Sequence, residues 1–213
     1  MKTFNFLKKI KYEKAEDNLM KTFDFLKKIK YEKTEDNLSK TEIETFEKTN
    51  NISLPEDYKY FLMHIGNGIR ITMPNGKERI VNGIKRSNLN NYNKLMSQPF
   101  IFDKAFLHTE NQEPVEWFRD CINPELTDEE ICSECKCFDK CPFAYVDSLD
   151  INSMPYYSGV ISICYAGCTY QYCLVLTGKH FGEIWLDNEL RDFIPSKQTF
   201  AEFLKWVATS EFY

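Results

Sequence analysis

The sequence predicts an α+β domain, with N-terminal and C-terminal helices packed on an antiparallel meander, and three observations lead there. First, Gly159 to Glu189 reads as three short apolar runs, rich in Val, Ile, Tyr and Cys and broken at Gly167 and at Thr177-Gly178. Such runs bounded by Gly are strands joined by tight turns. Second, the segments on either side carry apolar residues at helical spacing behind capping signals. Third, 43% hydrophobic and 15% aromatic content is enough to build a core, which excludes a wholly disordered chain.

The first 38 residues are a tandem repeat. Met1–Leu19 and Met20–Leu38 differ only at Asn5/Asp24 and Ala15/Thr34. Two short copies do not make a solenoid, which needs about three stacked units. Residues 1–38 therefore read as a duplicated arm with one copy redundant, and Met20 as a second start. The other reading is a basic arm that touches a partner or a membrane. The remainder, 39–213, reads as one α+β domain.

Ser39 and Glu42 form a capping box, with Ile43 and Phe46 sharing a helix face. Ser53 and Glu56 suggest a second box, with Pro55 in the first turn. Tyr58, Phe61, Leu62 and Ile65 then make a core-facing stripe, and Gly66-Asn67-Gly68 is expected to end the helix in left-handed positions. Ile69–Met73 and Arg79–Ile84 flank Pro74-Asn75-Gly76 as a hairpin. Residues 87–98 are polar and Asn-rich, a loop with at most a helical turn.

In the meander, Tyr172–Leu176 is apolar on both faces, as a central strand covered on both sides would be. The third run alternates, Ile184 and Leu186 against Glu183, Trp185 and Asp187. One edge of the sheet is thus expected to present a Trp between two carboxylates. Thr199 and Glu202 give a last capping box, ahead of Phe200, Phe203, Leu204 and Val207 on one helix face.

Between Glu110 and Lys140 there are ten acidic residues against three basic ones. A charge run is ordinarily a solvated face. Here Trp117, Phe118, Ile122 and Leu126 interleave with it, so a partner surface is the competing reading, with Asp128, Glu129 and Glu130 at its centre. The same segment holds Cys132, Cys135, Cys137 and Cys141, with Cys121 upstream. A Cys-x-x-Cys turn can deliver two thiolates to a structural zinc. The absence of a second, distant Cys-x-x-Cys leaves reduced thiols as the alternative, and no cofactor is required. Cys164, Cys168 and Cys173 sit in strand patterns as small buried hydrophobes.

Catalysis finds little support. His64, His108 and His180 form no metal-protease motif and there is no phosphate-cradling loop, so the chain does not read as an enzyme. A net charge of −5 argues against nucleic acid as a direct partner. No apolar run spans a bilayer, the N-terminus lacks the apolar stretch of a secretory signal, and a cytoplasmic location is expected.

Glu42–Glu47, Ile52–Tyr58, Phe61-Leu62 and Asn67-Gly68, followed by Gly167-Cys168, Leu174–Leu176, Gly178, Gly182–Trp185 and the helix from Thr199 to Val207, resemble the SUKH superfamily. That group holds bacterial toxin-immunity proteins and fungal regulators of cell-wall synthesis. The resemblance covers roughly 39–83 and 159–208, leaving an insertion at about 86–158 outside the pattern. It implies a protein-binding immunity function, with a cognate toxin, for example a nuclease, as partner. Glu183, Trp185 and Asp187 or the acidic insertion would supply the contact. Trp185 is then either an exposed anchor or a residue packed under a loop. A regulatory or scaffold protein like the fungal members, or a zinc- or thiol-dependent enzyme, are the alternatives.

Overall fold

The computed structural model describes residues 17–73, 75–91, 93–102, 157–165, 170–187 and 193–210. They form a seven-stranded sheet in strict sequence order: β1 (Lys30–Lys33), β2 (Gly68–Thr72), β3 (Glu78–Asn82), β4 (Val160–Tyr165), β5 (Gln171–Val175), β6 (Glu183–Asp187) and β7 (Phe193–Thr199). Every neighbouring pair is antiparallel. The architecture is α+β, as the sequence predicts.

Three helices cover one face: α1 (Lys40–Asn50), α2 (Glu56–Tyr60) and α3 (Phe200–Thr209). α1 and α3 start on the expected boxes. The Ser39 and Thr199 hydroxyls accept from the Glu42 and Glu202 N–H groups, and each carboxylate accepts from the backbone N–H of its cap residue. The Ser53 box does not form. Pro55 is the N-cap of α2 without a side-chain bond, while Glu47 takes the Leu54 N–H at 2.7 Å and pairs with Lys59 at 3.3 Å. Glu47 of the preceding helix thus holds the chain just ahead of α2, at the Leu54 N–H rather than at the Glu56 N–H that Ser53 was expected to cap. Beyond Tyr60 the chain widens into a π-helical turn, Phe61–Ile65.

The exit from this turn also differs from expectation. Gly66 is extended (φ 169°), and only Gly68 is left-handed (φ 95°). Between them Asn67 is buried. Its amide oxygen accepts from the Ile84 N–H and its nitrogen donates to the Ile84 carbonyl, both at 2.7 Å. The side chain imitates a strand partner there, satisfying backbone groups that would otherwise be stranded.

The core lies on both sides of the sheet. On the helix face, Ile43, Phe46, Tyr58, Phe61, Leu62, Phe200, Phe203 and Leu204 pack against Ile69, Ile71, Val81, Ile163, Leu174 and Ile184. Every residue of β5 is buried, as a central strand covered on both sides requires. The opposite face carries a smaller cluster: Phe102, Val160, Cys173, Val175, Trp185 and Phe193.

The second copy of the repeat packs into the domain. Phe23 and Leu26 are each 3% exposed within the helix-face core, Phe23 stacks on Tyr60, and Lys30–Lys33 form the first strand. Residues 17–38 therefore pack with the rest, and 38/39 is no packing boundary; residues 1–16 lie outside the described residues. At the other edge, β7 contains Pro195, and Lys197 is left-handed (φ 58°).

Candidate partner-binding site

The β6 side chains fall as their alternation demands. Ile184 faces the helices, and Trp185 faces the opposite side with Cys173 beside it on β5. What the alternation does not show is what lies beyond and above. β7 follows β6 in the sheet, so β6 is not an edge. Phe100 and Phe102 lie over the face itself, with ring centroids 4.9 and 6.4 Å from that of Trp185, and Phe193 joins them from β7. Trp185 is fully buried and Asp187 is 7% exposed. The expected surface of a Trp between two carboxylates is thus corrected to a buried aromatic layer, the alternative in which Trp185 packs under a loop, and of the three only Glu183 reaches solvent. Glu183 pairs with Nδ1 of His180 at 2.8 Å, and that ring stands edge-on to Trp185.

Asp187 is held by a small polar network. The Tyr157 hydroxyl and the Gln171 amide both donate to its Oδ2, the latter at 2.9 Å, and Gln171 also donates to the Tyr157 oxygen at 2.7 Å. Burial, reinforced by the Asp187 charge, pushes the Tyr157 phenol well above its ordinary range, so it remains a donor. Around this network Ser162 Oγ, Gln171 Oε1 and Trp185 Nε1 are buried without a hydrogen-bond partner among the described residues. Ser162 and Trp185 flank Cys173 on either side in the sheet, so these atoms share one face.

Residues from both flanks of the long β3–β4 connection cover this layer, and they are tied to one another. Gly159 N–H donates to the Leu95 carbonyl at 2.8 Å. The Thr177 hydroxyl donates to the Gln98 carbonyl and accepts from the Phe100 N–H, each at 2.9 Å. Gly159 is left-handed (φ 68°), and a Cβ there would run into Thr177 and into the backbone of Gln98 and Phe100, so only glycine fits. Within the connection, the stretch from Leu95 to Phe100 is thus clamped to Gly159 at its far end and to Thr177 just past β5. Asp128, Glu129 and Glu130, and the candidate metal ligands Cys121, Cys132, Cys135, Cys137 and Cys141, lie outside the described residues.

Sequence reasoning missed the covering residues Phe100, Phe102 and Tyr157. The alternation of Phe100 and Phe102 behind Pro99 was a usable signal, overlooked because the flanking residues are polar. It also missed Tyr165, Tyr170 and Phe181, which stand 57%, 38% and 45% exposed. Phe181 borders an open cleft of about 710 Å³ lined by Glu44, Lys48, Ile52 and Leu176, between the end of α1 and the β5–β6 turn.

Among the described residues no group of three or more His, Cys, Asp or Glu side chains is placed to hold a metal. The described thiols are buried: burial pushes Cys164 up to about 12, and Cys173 rises well above its ordinary value from burial and the Asp187 charge. Neither supplies a thiolate near neutral pH. No described helix is long and apolar enough to cross a membrane.

A family model described as the SMI1 / KNR4 family (SUKH-1) matches residues 37–206. No curated protein and no solved structure matches the chain.

Proposed function

The chain belongs to the SMI1/KNR4 family (SUKH-1), and from that premise we propose that it is an immunity protein, which neutralises a toxin by forming a complex with it in the cytoplasm. The observation that supports this reading is the clamp under the β3–β4 connection. Leu95, Gln98, Phe100 and Gly159 tie two parts of the connection to each other and to the end of β5. Its middle carries ten acidic residues against three basic ones from Glu110 to Lys140. An acidic segment suits a basic target such as a nuclease, because opposite fields steer the encounter and compensate charges desolvated at the interface. With Trp185 and Asp187 buried, the acidic segment is the better source of specificity than β6. The exposed aromatics Tyr165, Tyr170 and Phe181 offer apolar anchors.

The test is co-expression with the toxin encoded beside it, comparing the native chain with Asp128→Lys, Glu129→Lys and Glu130→Lys combined. The expected result is association slowed about tenfold at low salt, converging toward the native rate as salt rises, with protection weakened and stability unchanged. Protection that survives the reversal rules out the segment as the recognition surface. A chain that neither binds nor protects against a neighbouring toxin removes the immunity reading and puts a regulatory role, like that of the fungal members, in its place.

A further inference from the structure

The groove that receives the second copy of the repeat is defined side chain by side chain. Phe23 and Leu26 fill the helix-face core, Lys30–Lys33 pair with β2, and Leu38 is 2% exposed, its N–H donating to the Leu62 carbonyl at 2.9 Å. Between these anchors Asn37 donates to the Met63 carbonyl and Glu35 accepts from Asn67. Each of these residues has an identical counterpart nineteen positions earlier, with Phe4, Leu7 and Leu19 standing for Phe23, Leu26 and Leu38. Of the two positions that differ, Asp24 only forms an exposed pair with Lys27. Thr34 matters slightly more, since its hydroxyl donates to the Asn67 carbonyl at 3.3 Å, a bond that Ala15 cannot make.

We propose that this groove is a docking site for either copy, so that the chain exchanges between two registers: Met20–Leu38 held in the major one, Met1–Leu19 in the minor one. When the first copy is docked, residues 20–38 become a closed loop between Leu19 and Ser39. Closing a loop of that length costs roughly a hundredfold in equilibrium constant. Loss of the Thr34 bond adds roughly fivefold. The second copy therefore wins by roughly 500-fold, and the first serves as an intramolecular spare that limits the damage when the second cannot dock.

The test is equilibrium urea unfolding of the full chain carrying Phe4→Ala and Leu7→Ala, Phe23→Ala and Leu26→Ala, or all four. The first pair is expected to leave the folding constant within about twofold, because the minor register contributes almost nothing to the native population. The second pair should lower it by no more than roughly 500-fold, since the register shifts. All four should lower it by roughly 10⁴-fold or more, up to complete unfolding, the cost of emptying two buried sites with no replacement. Ala15→Thr should recover about fivefold in the Phe23/Leu26 variant and nothing in the four-substituted chain. The proposal is overturned if the second pair alone is as damaging as all four, or if the second pair prevents folding. It is also overturned if the midpoint of the Phe23/Leu26 variant rises with protein concentration, which would place the exchange between molecules.

Discussion

The two faces of the sheet are covered by different kinds of structure. On the helix face, α1, α2 and α3 set a continuous apolar layer against β2 to β6, and its few polar members, such as Asn67, have their hydrogen bonds satisfied. On the other face the buried layer is small and aromatic, and its cover is irregular chain from both flanks of the β3–β4 connection. It also encloses Asp187 and, among the described residues, three polar side-chain atoms without partners, on Ser162, Gln171 and Trp185. The helix face is what makes the domain fold. The second face fixes where an additional segment is attached, and it tolerates polar groups that a fold-determining core would exclude.

If that contrast is right, substitutions on the two faces should fail differently. The largest effect is expected from Phe203→Ala, fully buried beside Tyr172 and Trp206. It should cost about 3–5 kcal/mol and lower the denaturation midpoint with one cooperative transition. Phe102→Ala should cost less, about 2 kcal/mol, because an irregular segment can settle into the gap more readily than a helix. Amide exchange should then accelerate in β6 and β7 while α3 keeps its protection. Equal acceleration in both would mean that the two faces form a single cooperative unit. The smallest effect is expected at the cap of α3. Thr199→Ala removes the acceptor for the Glu202 N–H and should cost about 1 kcal/mol. That loss belongs to the helix face and should leave β7 exchange near Phe193 unchanged.

The helix face was legible in the sequence for a physical reason. Helical periodicity and capping boxes are local signals, and Tyr58, Phe61, Leu62, Phe200, Phe203 and Leu204 repeat at the spacing that a buried stripe requires. The hairpin β2–β3 and the central position of β5 were legible in the same way. The second face was only half legible. Alternation placed Trp185 and Asp187 on a common side, but not which side is wet, because that depends on Phe100 and Tyr157, each far from Trp185 in sequence. Similarly, Ser53 looked like a cap, yet no side chain caps α2, and Glu47, six residues upstream of Ser53, holds the Leu54 N–H ahead of the helix. The repeat was legible as a duplication with one copy redundant, but not that the second copy packs, with Phe23 and Leu26 in the helix-face core.

The two ends of the sheet bear on how the chain behaves when crowded. Among the described residues β1 and β7 are the outer strands of the meander, and the unpaired backbone groups of an outer strand are a template for another molecule's strand. β7 blocks that template with its own backbone, since Pro195 has no N–H to offer and Lys197 turns the strand out of line. β1 relies on side-chain charge, with Lys30, Glu32 and Lys33 all exposed along four residues. Stacking of molecules into filaments through their sheets is therefore obstructed sterically at one end and only electrostatically at the other. High salt weakens the second barrier and leaves the first intact, so any salt-induced self-association through the sheet should begin at β1.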